Sequence, residues 1–221
     1  MQLKNNLKLI FKERHLFYLL IVINFFPILL VQFFPTMDSG SHLYNSNLLK
    51  ILVSEKESPV NIFYKINTYP VPNWLGHFIL ALFLYCFKPF FAEKLLLLIY
   101  MILLPVSFRY LVTNINKRNI YLSYLIFPFT YNFLFMLGFY NQSIALVLLF
   151  FSIAYWYKNE SEMNLRKWLV IFLLITITYF SHFFILLILV LFTVVTSLQK
   201  RISEQPFNPF LKLQLKQYSK T

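Results

Sequence analysis

Long apolar runs limit what this chain can become. From Leu16 to Phe34 no charged residue interrupts the sequence, and further apolar runs cover Trp74 to Phe87, Leu95 to Val112, Met136 to Tyr157 and Trp168 to Leu198. Several approach or exceed the ~18 residues a helix needs to cross a bilayer. Charged residues make up only 13% of the chain, against about 25% in soluble domains. With 27 Phe and 15 Tyr the chain is also too apolar for disorder. The expected fold is all-α: a polytopic helical protein of the cell membrane, with about 5–7 transmembrane or partial transmembrane helices.

The net charge of +12 raises nucleic-acid binding only to set it aside. The Lys and Arg residues gather at the ends of the apolar runs, as the positive-inside rule requires. Lys4, Lys8, Lys12 and Arg14 place residues 1–15 in the cytoplasm. The first helix, 16–34, is longer than the apolar core of a signal peptide and is read as uncleaved. Cys86, the single cysteine, has no intrachain partner. No glycine-rich phosphate loop and no CxxC pair occurs.

Pro35 is expected to close the first helix. Residues 35–72 then form an external loop carrying an amphipathic surface helix from about 42 to 53, with Tyr44, Leu48, Ile51 and Leu52 on one face. Residues 73–198 form the transmembrane bundle, in which Lys88 and Lys94 fit a short cytoplasmic turn. Ile120 to Phe129 is too short to span, Pro128 ends it, and a re-entrant segment is the preferred reading. Trp168 to Leu198 would be about 46 Å long as one helix, against an apolar core of about 30 Å. It is either one tilted helix or two partial spans that break at His182. Residues 199–221 form a polar, basic tail.

The only aspartate, Asp38, lies in the external loop, and the only three glycines each sit by a polar cluster. Near Gly40, Asp38 and His42 are spaced i,i+4 and can share a helix face. Such a pair suits a general base or two ligands of a divalent metal; the plainer role for Asp38 is a helix cap. Near Gly76, Asn73 suits a helix cap and Trp74 an interfacial anchor, which leaves His77 one turn deeper as a site candidate. Near Gly138, Tyr140, Asn141 and Gln142 either bind a sugar or join neighbouring helices. His182 is either a satisfied buried histidine or a pocket residue. Arg109 either snorkels to headgroups or meets a lipid phosphate.

In order and spacing, four stretches resemble a known family: Asp38-Ser39-Gly40-Ser41-His42-Leu43-Tyr44-Asn45, Pro72-Asn73-Trp74-Leu75-Gly76-His77, Phe135-Met136-Leu137-Gly138-Phe139-Tyr140-Asn141 and Tyr179-Phe180-Ser181-His182. Across residues 10–195 the chain resembles the GT-C superfamily of membrane glycosyltransferases. The resemblance is closest to bacterial members related to the dolichyl-phosphate-mannose protein mannosyltransferases. It implies a polyprenyl-phosphate sugar donor, an extracytoplasmic acceptor and membrane lipid as partners. It also implies Asp38 as the catalytic residue, acting directly or through a metal held with His42. His42, Asn73, His77, Arg109, Tyr140, Asn141 and His182 would bind substrate, with Arg109 or the metal opposite the departing phosphate. Many relatives carry two acids in this loop where this chain has one, and most are longer, so a truncated form or a further membrane subunit is expected.

Two other readings compete. A polysaccharide polymerase or ligase would depend on basic residues in the external loops. A non-catalytic membrane subunit or remnant would leave Asp38→Asn silent.

Overall fold

Apolar stretches of this length cannot leave backbone N–H and C=O groups unpaired, and helices pair them locally. The computed structural model describes residues 2–204, with side chains from Lys12 to Ile202, and among these it is helical with no strand. The expected polar tail falls mostly outside the described residues. In chain order the helices are α1 (Gln2–Ile23), α2 (Phe26–Leu29), α3 (Ser39–Ser54), α4 (Val60–Phe63), α5 (Leu75–Cys86) and α6 (Pro89–Ile115). A 3₁₀ helix (Lys117–Phe129) follows, then α7 (Phe133–Met136), α8 (Tyr140–Asn159), α9 (Leu165–Ser181) and α10 (Phe183–Glu204). Two helical segments, Pro89–Ile115 and Phe183–Ile202, are long and apolar enough to cross a membrane.

The central helix is α6, packed on α8 and on the 3₁₀ helix. Its buried residues Leu96, Leu97, Tyr100, Met101 and Leu104 join Ile28, Phe135, Tyr140 and Val147 in one core. A second core links Leu111 to Ala145, Leu149 and Ile153 of α8 and to Ile185 and Leu189 of α10. Contacts fix the two ends of the bundle. At one end Glu93 of α6 meets Ser39 and Tyr140. At the other, Arg109 meets Glu13 of α1. Arg109 lies sixteen residues after Glu93 along α6, about 24 Å at ~1.5 Å per residue.

Several expectations are corrected. The first helix breaks at Asn24–Phe25, before Pro27, rather than at Pro35; Asn24 Nδ2 folds back to the Leu20 carbonyl at 2.8 Å. α3 starts at Ser39 and is covered by α5, with Lys50 Nζ donating to the Leu84 carbonyl at 3.0 Å. With 12 residues, α5 is about 18 Å long and does not bridge the bundle. The Lys88–Lys94 turn therefore lies at the Asp38 end: Lys94 Nζ reaches the Leu29 carbonyl at 3.4 Å, and the Phe33 and Phe90 rings meet at 6.2 Å.

The stretch Ile120–Phe129 is not α-helical. It is wound as a 3₁₀ helix, which rises ~2.0 Å per residue and so covers about 20 Å in ten residues. It starts by Arg109, where Ser123 Oγ lies 3.4 Å from Nη1, and ends by Tyr100, which donates to the Thr130 carbonyl at 3.2 Å. The chain thus returns to the Asp38 end. The last apolar run breaks at His182 into α9 and α10. α9 arrives at the Asp38 end, and α10 leaves it to meet Trp156 and Glu160 at the far end of α8.

Arg109 is held at that far end by a bidentate pair with Glu13, 2.6 and 2.8 Å, under a cation–π contact with Phe17. The Arg109 hydrogen bond holds the Glu13 carboxyl below the usual carboxylate range, against the opposing effect of burial. Removing one partner strands a buried charge. Arg109→Ala is expected to destabilise the protein by about 3–5 kcal/mol, read as a lowered Tm in detergent. A melting curve that does not move would mean the pair is not formed.

Candidate functional site

Three chain junctions meet at the Asp38 end, and two of the three glycines are where they touch. Gly138 has φ +87°, a region L side chains rarely adopt. A Cβ there would lie 2.9 Å from the Asp38 backbone nitrogen and 3.1 Å from its Cβ. The close approach lets the Met37 and Asp38 N–H groups donate to the Met136 and Leu137 carbonyls, both at 3.1 Å. Gly76 plays the same part for the next pair of segments. Its N–H donates to Asn141 Oδ1 at 2.6 Å, and an added Cβ would sit 2.8 Å from that oxygen. Gly40 has open space around it.

Asn141 bridges the junctions. Its Nδ2 donates to the Asn73 carbonyl at 2.9 Å, while its own carbonyl accepts from Ser181 Oγ at 2.6 Å. Asn73 is not the cap of α5: it lies in the left-handed region at φ +65°, and Trp74 takes the cap position without a side-chain bond. Asparagine tolerates that region better than most residues. The Trp74 N–H donates to the Phe180 carbonyl at 2.8 Å, so α5 and α9 are fastened at this point.

Between the junctions lies a cavity of about 260 Å³ lined by Asp38, His42, Asn73, His77, Phe139, Asn141, Gln142 and His182. Ligand pockets typically run from about 300 Å³ upward, so this one suits a small polar group. Asp38 sits at the N-cap position of α3 but makes no side-chain cap bond, and its carboxylate has no hydrogen-bond partner among the described residues. The cap role expected of it is therefore not used.

His42 and His77 form a pair, Nδ1 to Nε2 at 3.0 Å, with ring centroids 4.8 Å apart. His77 Nδ1 lies 3.1 Å from the Asn73 carbonyl, which only accepts, so His77 donates there. In a neutral His77 ring Nε2 is then the acceptor, and His42 Nδ1 is the donor. Burial, followed by the neighbouring His77, pushes the His42 pKa below its usual value, against Asp38 and the Gly138 backbone, which favour the cation. His182 stands at the α9–α10 break with its Nδ1 buried and unpartnered.

Of the residues singled out from the sequence, the fold brings Asp38, His42, Asn73, His77, Asn141, Gln142 and His182 to one cavity. Tyr140 lies just behind it, stacked on His42 with centroids 4.8 Å apart. Arg109 does not join them: it lies about 24 Å along α6 from Glu93 and is committed to Glu13. The metal expected between Asp38 and His42 does not fit the donor set. His77 has both ring nitrogens engaged, His42 is bonded to His77, and no group of three or more His, Cys, Asp or Glu suited to an ion occurs among the described residues. Sequence reading passed over Glu93, Ser39 and Thr36, all buried beside Asp38. Glu93 did carry a signal: it is the only acid between Glu57 and Glu160.

Two outcomes test this geometry. Gly138→Ala must strain its backbone and push on the Asp38 main chain, and is expected to lose about 1–3 kcal/mol in thermal unfolding. For His42, the unfolded chain binds a proton near the ordinary pKa of about 6.5, before the folded chain does. Stability should therefore be complete above that pH and decline as pH falls toward the lower folded value. Thermal scans from neutral to mildly acidic pH should show this decline, and His42→Gln should lessen it, the remainder belonging to His77, whose pKa burial also lowers. No family model, curated protein or solved structure matches the chain.

Proposed function

We propose that this chain is a multi-pass integral membrane protein of glycosyltransferase type, with its N-terminus in the cytoplasm, that transfers a sugar from a polyprenyl-phosphate donor to an extracytoplasmic acceptor. The observation that carries the reading is Asp38: a carboxylate with no side-chain partner, open to a cavity lined otherwise by three histidines, three amides and Phe139. A carboxylate left unpaired at a cavity wall is available as a general base. The amides of Asn73, Asn141 and Gln142 offer donors and acceptors suited to sugar hydroxyls. Support for membrane crossing comes from Pro89–Ile115 and Phe183–Ile202, both long and apolar enough to cross a membrane.

In the proposed step the acceptor hydroxyl oxygen attacks the anomeric carbon. The bond from that carbon to the phosphate oxygen breaks, its electron pair leaves with the phosphate, and the hydroxyl proton passes to the Asp38 carboxylate. With Arg109 at the far end and His42 and His77 engaged with each other, the lining imidazole left to meet the phosphate is that of His182. Among the described residues no Lys or Arg lines the cavity, which disfavours a polymerase or ligase driven by basic residues.

Asp38→Asn keeps the shape and removes the base. Transfer is expected to fall by about 10²–10⁴-fold while the protein inserts at normal levels. The readout is surface glycan by mass spectrometry in a strain lacking the gene, complemented with each form. Full restoration of the glycan by Asp38→Asn would sink the catalytic reading and favour a non-catalytic subunit.

A further inference from the structure

Glu93 is 1% exposed and has no cationic partner; the described ion pairs are Arg109–Glu13 and Lys200–Glu160. Two hydroxyls converge on its Oε1. Tyr140 donates at 2.5 Å and Ser39 donates from the first residue of α3. Tyr140 has a single proton, spent on Glu93, so Thr36 must be the donor in the 2.6 Å bond between Thr36 Oγ1 and Tyr140 Oη. Glu93 Oε2 is buried without a partner. Burial of a carboxyl with half its capacity unused is unfavourable taken alone. A leucine would fit such a place better, except that the hydroxyls would then lose their common acceptor.

The circuit straddles Asp38. Thr36 lies two residues before it and Ser39 one residue after it, while Tyr140 lies two residues after Gly138, which touches the Asp38 backbone. The Tyr140 ring also stacks on His42. We propose that Glu93 is a positioning residue for Asp38: the terminal acceptor of a hydroxyl circuit that locks both flanks of Asp38 to the start of α8. Its catalytic consequence rests on the reading of Asp38 as the base; the lock itself does not. The role belongs to the acceptor oxygen rather than to the charge, so Gln in place of Glu93 keeps it and Leu abolishes it.

The test is electron paramagnetic resonance of spin labels in a Cys86→Ser background. One label replaces Met37, 78% exposed and next to Asp38; a control label replaces Leu165, 77% exposed at the far end of the bundle. Glu93→Leu is expected to sharpen the Met37 line and leave the Leu165 line alone. Glu93→Gln should restore the broad line, and Tyr140→Phe should sharpen it partly. If Glu93→Leu does not fold, Tyr140→Phe and Glu93→Gln still decide the matter. A Met37 line unmoved in Tyr140→Phe, or equal loosening at both labels, would overturn the proposal. In the transfer assay Glu93→Leu should lower kcat by about 100-fold, as a misplaced reacting group does, with KM little changed. A silent Asp38→Asn beside a loosened Met37 would end the catalytic reading and leave the lock standing.

Discussion

The structure depends on how closely two backbones approach at Gly138. With no side chain there, the segment after α7 lies directly against Asp38, and two main-chain hydrogen bonds join Met37 and Asp38 to Met136 and Leu137. The contact holds the loop after α2 to the loop before α8. α3 then starts on one side of the junction and α8 on the other, so His42 comes to rest on the Tyr140 ring. The same device recurs at Gly76, where Asn141 fills the space a Cβ would take and ties α5 to α8. In a chain with three glycines, two of them serve as the points where separate segments touch.

Polar groups in apolar surroundings must find partners, and here the partners come from distant parts of the sequence. Asn141 satisfies Gly76 and Asn73 and is satisfied in turn by Ser181. Glu93 collects the hydroxyls of Ser39 and Tyr140. The cavity is what these fastenings leave between them, and its wall carries the Asp38 carboxylate, which they do not employ. A fixed frame around an unpaired carboxylate is the arrangement that the proposed general-base role needs, because a reacting group held in place need not be reorganised.

The candidate residues were visible in the sequence because polar side chains stand out against apolar runs. Asp38, His42, Asn73, His77, Asn141 and His182 could each be picked out in this way, and they meet at one cavity. The reasons attached to some of them did not survive. Asn73 takes a left-handed turn rather than a cap, because its carbonyl must face both Asn141 and His77. Arg109 faces Glu13, whose position depends on how α1 lies along α6. Glu93 was overlooked because two lysines beside it read as a solvated turn.

By itself the sequence determined the helical class, the apolar segments and the short list of residues able to do chemistry. Those follow from composition and local spacing, which act within a few turns of chain. Only the tertiary structure decided which segments bridge the bundle. α5 is too short, and the stretch after Asn119 is wound as a 3₁₀ helix that reaches further per residue than an α-helix. The placement of Glu93 under Asp38, and of Arg109 far from it, was likewise decided by packing. Partners 47 to 96 residues apart in sequence are set by how helices stack, and no local pattern encodes that.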